Sequence, residues 1–413
     1  MSNNDSSESK SCNSSTALAA LSAAALLLPA FSSTATADTA PENISLGYRA
    51  SIYQEDSTDS SNIFSVGSTP STSAERYDIS VQQFHLLMPI GNQYSASIDL
   101  QTETLSGASP YFTTEDNGSP QLIMSGASIN ESRNDVAVTA RYYNDWGNTG
   151  VSLSHSSEND YTSVAIAIDG TRNMNKKHLT LSGGVSYSSD TLTPTQGRIE
   201  TKILEGEKNS GSLFFGLSQI INKNFILQSG LSFTAFSGYL TDPYKFHDQR
   251  PNSKSQWTWT LGSRTYISHF DGAVHVDFRY YSDNWGVNSR TIDLSWHQEV
   301  KQKYFVSPYL RYYSQEKANF FTHSADLNES YYADDFRLSS YDAVTIGLRL
   351  EKVVASWGFI LSGERYVSDG DSDNTNTNDN TNTSSSTNNS NDKEAPGLIS
   401  FYRVTMGVDY EFK

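Results

Sequence analysis

The chain has almost no cysteine: Cys12 is the sole thiol among 413 residues, which excludes a disulfide framework and any multi-thiolate metal site. Cations are outnumbered. Lys and Arg total 29 against 46 Asp and Glu, a net charge of −17, the opposite of what a polyphosphate-binding surface requires, so no nucleic-acid partner is expected. Long apolar runs are missing too, and the longest, Thr16 to Phe31, falls short of the roughly 18–20 residues a spanning helix needs. What the chain has in quantity is Tyr (24) and Phe (19) set among Ser, Thr, Asn and Gly, the make-up of a β-rich polar protein.

The first 37 residues read as an export signal. Lys10 stands in a polar leader, an apolar run follows from Ala17 to Phe31, and Ala35-x-Ala37 offers the small side chains a signal peptidase accepts. Cleavage after Ala37 leaves residues 38–413 as the mature chain and removes Cys12, which suits an oxidising compartment.

From Asp38 onward apolar residues alternate with polar ones in segments of about ten residues, the mark of strands with two unlike faces. Tyr402, Val404, Met406, Val408, Tyr410 and Phe412 alternate with Arg403, Thr405, Asp409 and Glu411; Val344, Ile346, Leu348, Leu350 and Trp257, Trp259, Leu261 repeat the pattern. In one segment the apolar face switches, from Tyr77, Ile79, Val81 to Phe84, Leu86, Met88, which predicts a β-bulge between Val81 and Phe84. The connections alternate in length. Short turns are expected at 89–93, 144–149, 169–176, 221–224, 268–272, 298–303 and 352–356. Long polar connections are expected at 54–74, 106–130, 188–210, 238–253, 316–339 and 368–397, with brief ones at 158–160 and 282–288. Seven turns and eight outer connections make 16 strands. The fold expected is therefore all-β: a transmembrane antiparallel up-and-down β-barrel, closed because lipid offers no partner to an open sheet edge. A soluble β-sandwich would leave the Trp, Phe and Leu faces uncovered.

Several strings resemble one family of bacterial outer-membrane proteins, the domain of unknown function 3570 family. They are Ser106–Pro110, Ser125–Ile129, Gly238–Lys245 (Gly-Tyr-Leu-Thr-Asp-Pro-Tyr-Lys), Arg250-Pro251, Arg279–Gly286 and Arg311–Gln315. The resemblance implies an outer-membrane barrel and no established activity.

No enzyme signature is present, so no catalytic, cofactor-binding or metal residues are assigned, and no cofactor is expected. His155 and Ser157 share a strand face with Val151 and Leu153, as in a lipid-facing phospholipase, but Glu158 stands where an oxyanion-supporting Asn belongs; an interfacial His and Ser is the plainer reading. Asp369, Asp371 and Asp373 have calcium-loop spacing, yet Asn374 replaces the turn Gly and Asn380 the bidentate Glu. The surrounding Asn/Thr/Ser tract, within 368–397, reads as a disordered low-complexity outer loop.

The polar strand faces supply the candidate lumen lining: Asp99, Arg141, Arg264, Asp277, Arg279, Asp293, Arg311, Arg349, Arg403 and Asp409. Such mixed charges either set up a transverse field for polar solutes or pair and close the interior. A candidate mouth loop comprises Gly238, Tyr239, Asp242, Pro243, Tyr244 and Lys245, where Gly and Pro punctuate the backbone and Tyr supplies apolar mass. The six long connections hold −14 of the −17 charge, so cations should be favoured near their side of the barrel. The function expected is a narrow or loop-plugged outer-membrane channel for small polar solutes with modest cation preference. The alternatives are a non-conducting barrel whose acidic loops bind partners or divalent cations, and an outer-membrane hydrolase. Expected partners are outer-membrane lipid and lipopolysaccharide, the barrel-assembly machinery and small polar solutes.

Overall fold

The computed structural model describes residues 39–57, 63–65, 76–107, 110–116, 119–124, 129–195, 201–301, 303–323, 328–370 and 397–413. The signal segment and most of the Asn/Thr/Ser tract lie outside them. Sixteen strands close into one barrel: β1 (Ser45–Glu55), β2 (Asp78–Ile90), β3 (Tyr94–Gly107), β4 (Ile129–Asn144), β5 (Gly147–Ser157), β6 (Tyr161–Met174), β7 (Leu179–Leu192), β8 (Gly206–Asn222), β9 (Phe225–Gly238), β10 (Ser253–Ile267), β11 (Gly272–Asp283), β12 (Asn288–Lys301), β13 (Tyr304–Gln315), β14 (Tyr341–Val354), β15 (Trp357–Asp369) and β16 (Ser400–Glu411). Each strand pairs antiparallel with the next, and β1 closes the ring on β16 from Ser45↔Glu411 to Glu55↔Phe401. The closure leaves the barrel sheet no free edge, which is what a hydrocarbon surround demands.

Period-2 alternation fixes which face is which. Tyr48, Ile52, Leu348, Val404 and Met406 all point outward, and Ile52, Ile346 and Met406 keep 66%, 63% and 61% of their surface open. So large a continuous apolar exterior is unfavourable in water and favourable in lipid. Aromatic residues gather at the short-turn end, where Tyr94 meets Tyr142 (5.1 Å between ring centres) and Trp357 meets Tyr410 (4.5 Å), as amphipathic rings do at a membrane boundary.

Two details depart from the sequence expectation. No bulge interrupts β2: its pairing with β1 and β3 runs unbroken, Val81 opposite Ser51 and Phe84 opposite Tyr48. Because Ser51 faces in and Tyr48 faces out, Ile79 and Val81 turn into the barrel while Phe84 and Leu86 face lipid; the face switch is real, and the interior absorbs it. Register shifts occur instead beside the short turns, between Ile220 and Asn222 and between Glu299 and Lys301. Several strands also outrun their apolar stretches. β7 continues to Leu192 and β8 restarts at Gly206, because ladder hydrogen bonds persist past the lipid band, where no alternation is needed to maintain them.

Candidate functional site

Inward-facing charged and polar side chains pair along the wall. Arg49 meets Asp409 at 2.7 Å, His85 meets Asp99 at 2.6 Å, Arg264 meets Asp277 at 2.8 Å, Arg311 meets Asp293 at 2.6 Å, Arg349 meets Glu351 at 2.6 Å and Arg403 meets Glu364 at 2.7 Å. All of these partners sit on the same strand or on adjacent ones. Arg141 is the exception, reaching across β5 to Asp169 on β6 at 2.8 Å. It can do so because the residue between them in the cross-strand row is Gly150, where an added Cβ would lie 2.6 Å from the guanidinium. Gly407 leaves room for Arg49 in the same manner. These paired arginines therefore lie along the wall rather than bridging the lumen. Half-exposed pairs of this kind contribute little stability, on the order of 0–1 kcal/mol each. Their effect is on the space left beside them: a cavity of about 1290 Å³ bordered by Arg49, His85, Asp99, Arg141, Asp169, Arg279 and Asp409.

At the long-loop end the same cavity is bordered by Tyr239, Leu240, Asp242, Arg250, Asp335, Arg337 and Leu338. These belong to the β9–β10 connection (239–252) and the β13–β14 connection (316–340), which join through a two-residue ladder, Asp248↔Ala333 and Gln249↔Tyr332. Further links reach other sectors of the rim. Asp334 accepts from the Thr113 amide of the β3–β4 connection at 2.5 Å, Asp160 between β5 and β6 accepts the Tyr244 hydroxyl, and the Lys202 ammonium of the β7–β8 connection donates to the Asp248 carbonyl. Since β3 and β13 stand on different sides of a 16-strand ring, loops bonded in this way extend over the mouth. Trp285, Val287, Ala318, Ala333 and Leu338 form a small apolar core among them, with Leu240, Tyr281, Phe320 and Phe321 packed against it.

The polar centre of this cap is two Asp-x-Arg units. Arg250 grips Asp248 in a bidentate fork and reaches Asp335 at 2.9 Å; Arg337 grips Asp335; Lys245 stands 3.3 Å from Asp335. Both carboxylates are fully buried. Burial pushes Asp335 up, but Arg337, Lys245 and Arg250 together outweigh it and hold this carboxyl well below the usual range. Asp248 goes the other way, raised by burial that Arg250 only partly offsets. One carboxylate thus anchors three cations while the other is held mainly by its fork.

The candidate mouth-loop residues fall inside this cap. Pro243 is fully buried, Asp242, Tyr244 and Lys245 nearly so, and Gly238 adopts φ +109°, where an added Cβ would collide with the Glu207 carbonyl. His155 and Ser157 point outward, on the face they share with Val151 and Leu153, as the β4–β5 register requires. Glu158 turns the opposite way, 3.6 Å from the inward Arg133, and cannot support an oxyanion at those two residues. Burial pushes its carboxyl up to about 8 against the pull of Arg133. Asp371 and Asp373 lie outside the described residues. Asp248, Asp335 and Arg337 are not among the residues expected from the sequence; the Asp-x-Arg spacing they share at 248–250 and 335–337 also occurs at 277–279 on a barrel strand and does not by itself mark the cap.

Comparison with known proteins adds little beyond the fold. No curated protein matches the chain. Among solved structures, a bacterial polysaccharide outer membrane secretin aligns at 7% identity and TM-score 0.49 over 90% of this chain and 99% of that one. Pseudomonas aeruginosa OccK3 (OpdO) aligns at 11% and 0.42 over 90% and 95%. The siderophore receptor PirA from Pseudomonas aeruginosa aligns at 10% and 0.40 over 80% of this chain, which spans only 56% of that receptor. The family model described as protein of unknown function (DUF3570) matches residues 18–382, and the chain belongs to that family.

Proposed function

We propose that the protein is a non-catalytic outer-membrane barrel that admits small polar solutes through a lumen narrowed by its own loops, with modest preference for cations at low salt. The observation that carries this reading is the cavity of about 1290 Å³ inside a closed apolar-faced wall, bordered by the paired wall charges and, on one side, by Arg250, Asp335 and Arg337 of the loop cap. Pairing along the wall leaves that space nearly neutral, so selectivity would come from the acidic connections outside, whose field decays over a Debye length of about 8 Å at physiological ionic strength. Lipid and lipopolysaccharide would contact the outer face, and the barrel-assembly machinery would insert it. Reversal potentials of reconstituted protein across a potassium chloride gradient test the proposal: cation preference that fades as salt rises is expected. Anion preference at low salt would overturn the selectivity, and absence of conductance would favour a non-conducting barrel with partner-binding loops.

A further inference from the structure

Beneath the mouth loop lies a second charged cluster that the wall pairs do not explain. Glu131 near the start of β4, and Glu158 and Asp160 in the β5–β6 turn, each place one carboxylate oxygen within 4.8 Å of the other two. Glu131 and Asp160 are 4% and 3% exposed, and the Glu158 side chain is 1% exposed. Neither carboxylate oxygen of Glu158 takes a hydrogen bond among the described residues. Arg133 is near, but its hydrogen bonds go to Asp135 and the Ser156 hydroxyl at 2.9–3.0 Å, and it stands back from Glu158 at 3.6 Å and from Glu103 at 3.7 Å. A buried carboxylate with no donor, facing two more, is costly unless positive charge joins it.

We propose that Glu131, Glu158 and Asp160 form a divalent cation site fitted to calcium. The donors are all hard oxygens, which disfavours zinc and copper. Oxygens held about 2.3–2.6 Å from one calcium lie up to about 5 Å apart, which accommodates the observed span; magnesium, with its shorter bonds of about 2.0–2.1 Å, fits it less well. Tyr244, whose hydroxyl donates to Asp160, places a phenol beside the ion.

Terbium, a calcium surrogate, tests the site in full-length protein refolded without lipopolysaccharide and freed of metal. Excitation of tyrosine should give terbium emission that saturates at one ion per chain and is displaced by calcium at lower concentration than by magnesium. Glu158→Gln and, separately, Glu131→Gln should each weaken binding at least tenfold while the barrel still shows faster migration when unheated. Should either variant fail to fold, the wild type still decides, since calcium should raise its unfolding temperature and a chelator lower it. No saturable emission, full affinity in a folded Glu158→Gln variant, or an unfolding temperature indifferent to calcium would overturn the proposal.

Discussion

Replacing Asp335 with Asn is the sharpest perturbation of the cap. The side chain keeps its size, but a fully buried acceptor of Arg250 and Arg337 loses its charge, and Lys245 at 3.3 Å loses its counter-ion. Removing one partner of a buried ionic network costs roughly 3–5 kcal/mol, because the remaining charges stay desolvated. Arg250 retains its fork to Asp248, and the Arg337 side chain is 30% exposed, so the lower end, about 3 kcal/mol, is the sounder expectation. At about 1.4 kcal/mol per factor of ten, the cap should open roughly a hundredfold more often. Because the network lies in connections rather than strands, the barrel itself should be untouched. The assay is limited proteolysis of folded protein in detergent: cleavage within 239–252 should accelerate by about two orders of magnitude while heat-dependent gel mobility stays unchanged. Cleavage at the wild-type rate would refute the idea that Asp335 holds the loops together. Acid should mimic the substitution. The folded-state pKa of Asp335 is depressed, so its contribution is present above the ordinary carboxylate range, near 3.8, and is lost as pH falls from there toward the lowered value.

Other consequences are direct. Leu348→Arg puts a charge on the lipid face and should cost about 2–4 kcal/mol if the position is near mid-bilayer, read as a lower unfolding midpoint in urea titrations of vesicle-inserted protein. Gly347→Ser, beside it, would put a Cβ 2.2 Å from the Tyr309 ring, so a loss of about 1–3 kcal/mol is expected in the same titration. Gly150→Val should break the Arg141–Asp169 pair by filling the gap beneath the guanidinium, with little loss of stability but altered conductance. N-terminal sequencing of membrane-extracted protein should begin at Asp38, and deletion of 371–391 should leave assembly intact.

Strand number and inside–outside assignment were legible in the sequence because lipid and lumen impose opposite chemistry on alternate residues, and Met406 or Ile346 among polar neighbours records that directly. The β2 face switch misled the bulge expectation, since a sequence records a change of face without saying whether the backbone or the interior accommodates it. That Gly238, Pro243 and Tyr244 act as punctuation and bulk at the β9–β10 connection was legible, since backbone limits and size are local properties. The ionic centre of the cap was not. Asp335 lies 85 residues from its partner Arg250, and in a loop its composition is indistinguishable from that of a solvated surface charge. The wall pairs were hidden for a related reason: Arg141 and Asp169 meet only because Gly150 separates them in register, a relation that appears once the strands are paired.

If loops of this chain obstruct a lumen through which small solutes pass, removing them should enlarge its conductance. Single-channel recording in planar bilayers tests it most directly, comparing the wild type with a variant in which residues 240–251 are replaced by a short Gly-Ser linker, both shown to be folded by heat-dependent gel mobility. The wild type should give small steps and the variant several-fold larger ones, still cation-preferring at low salt. Equal conductance in the two proteins, or silence in both, would show that the loops do not narrow a conducting lumen.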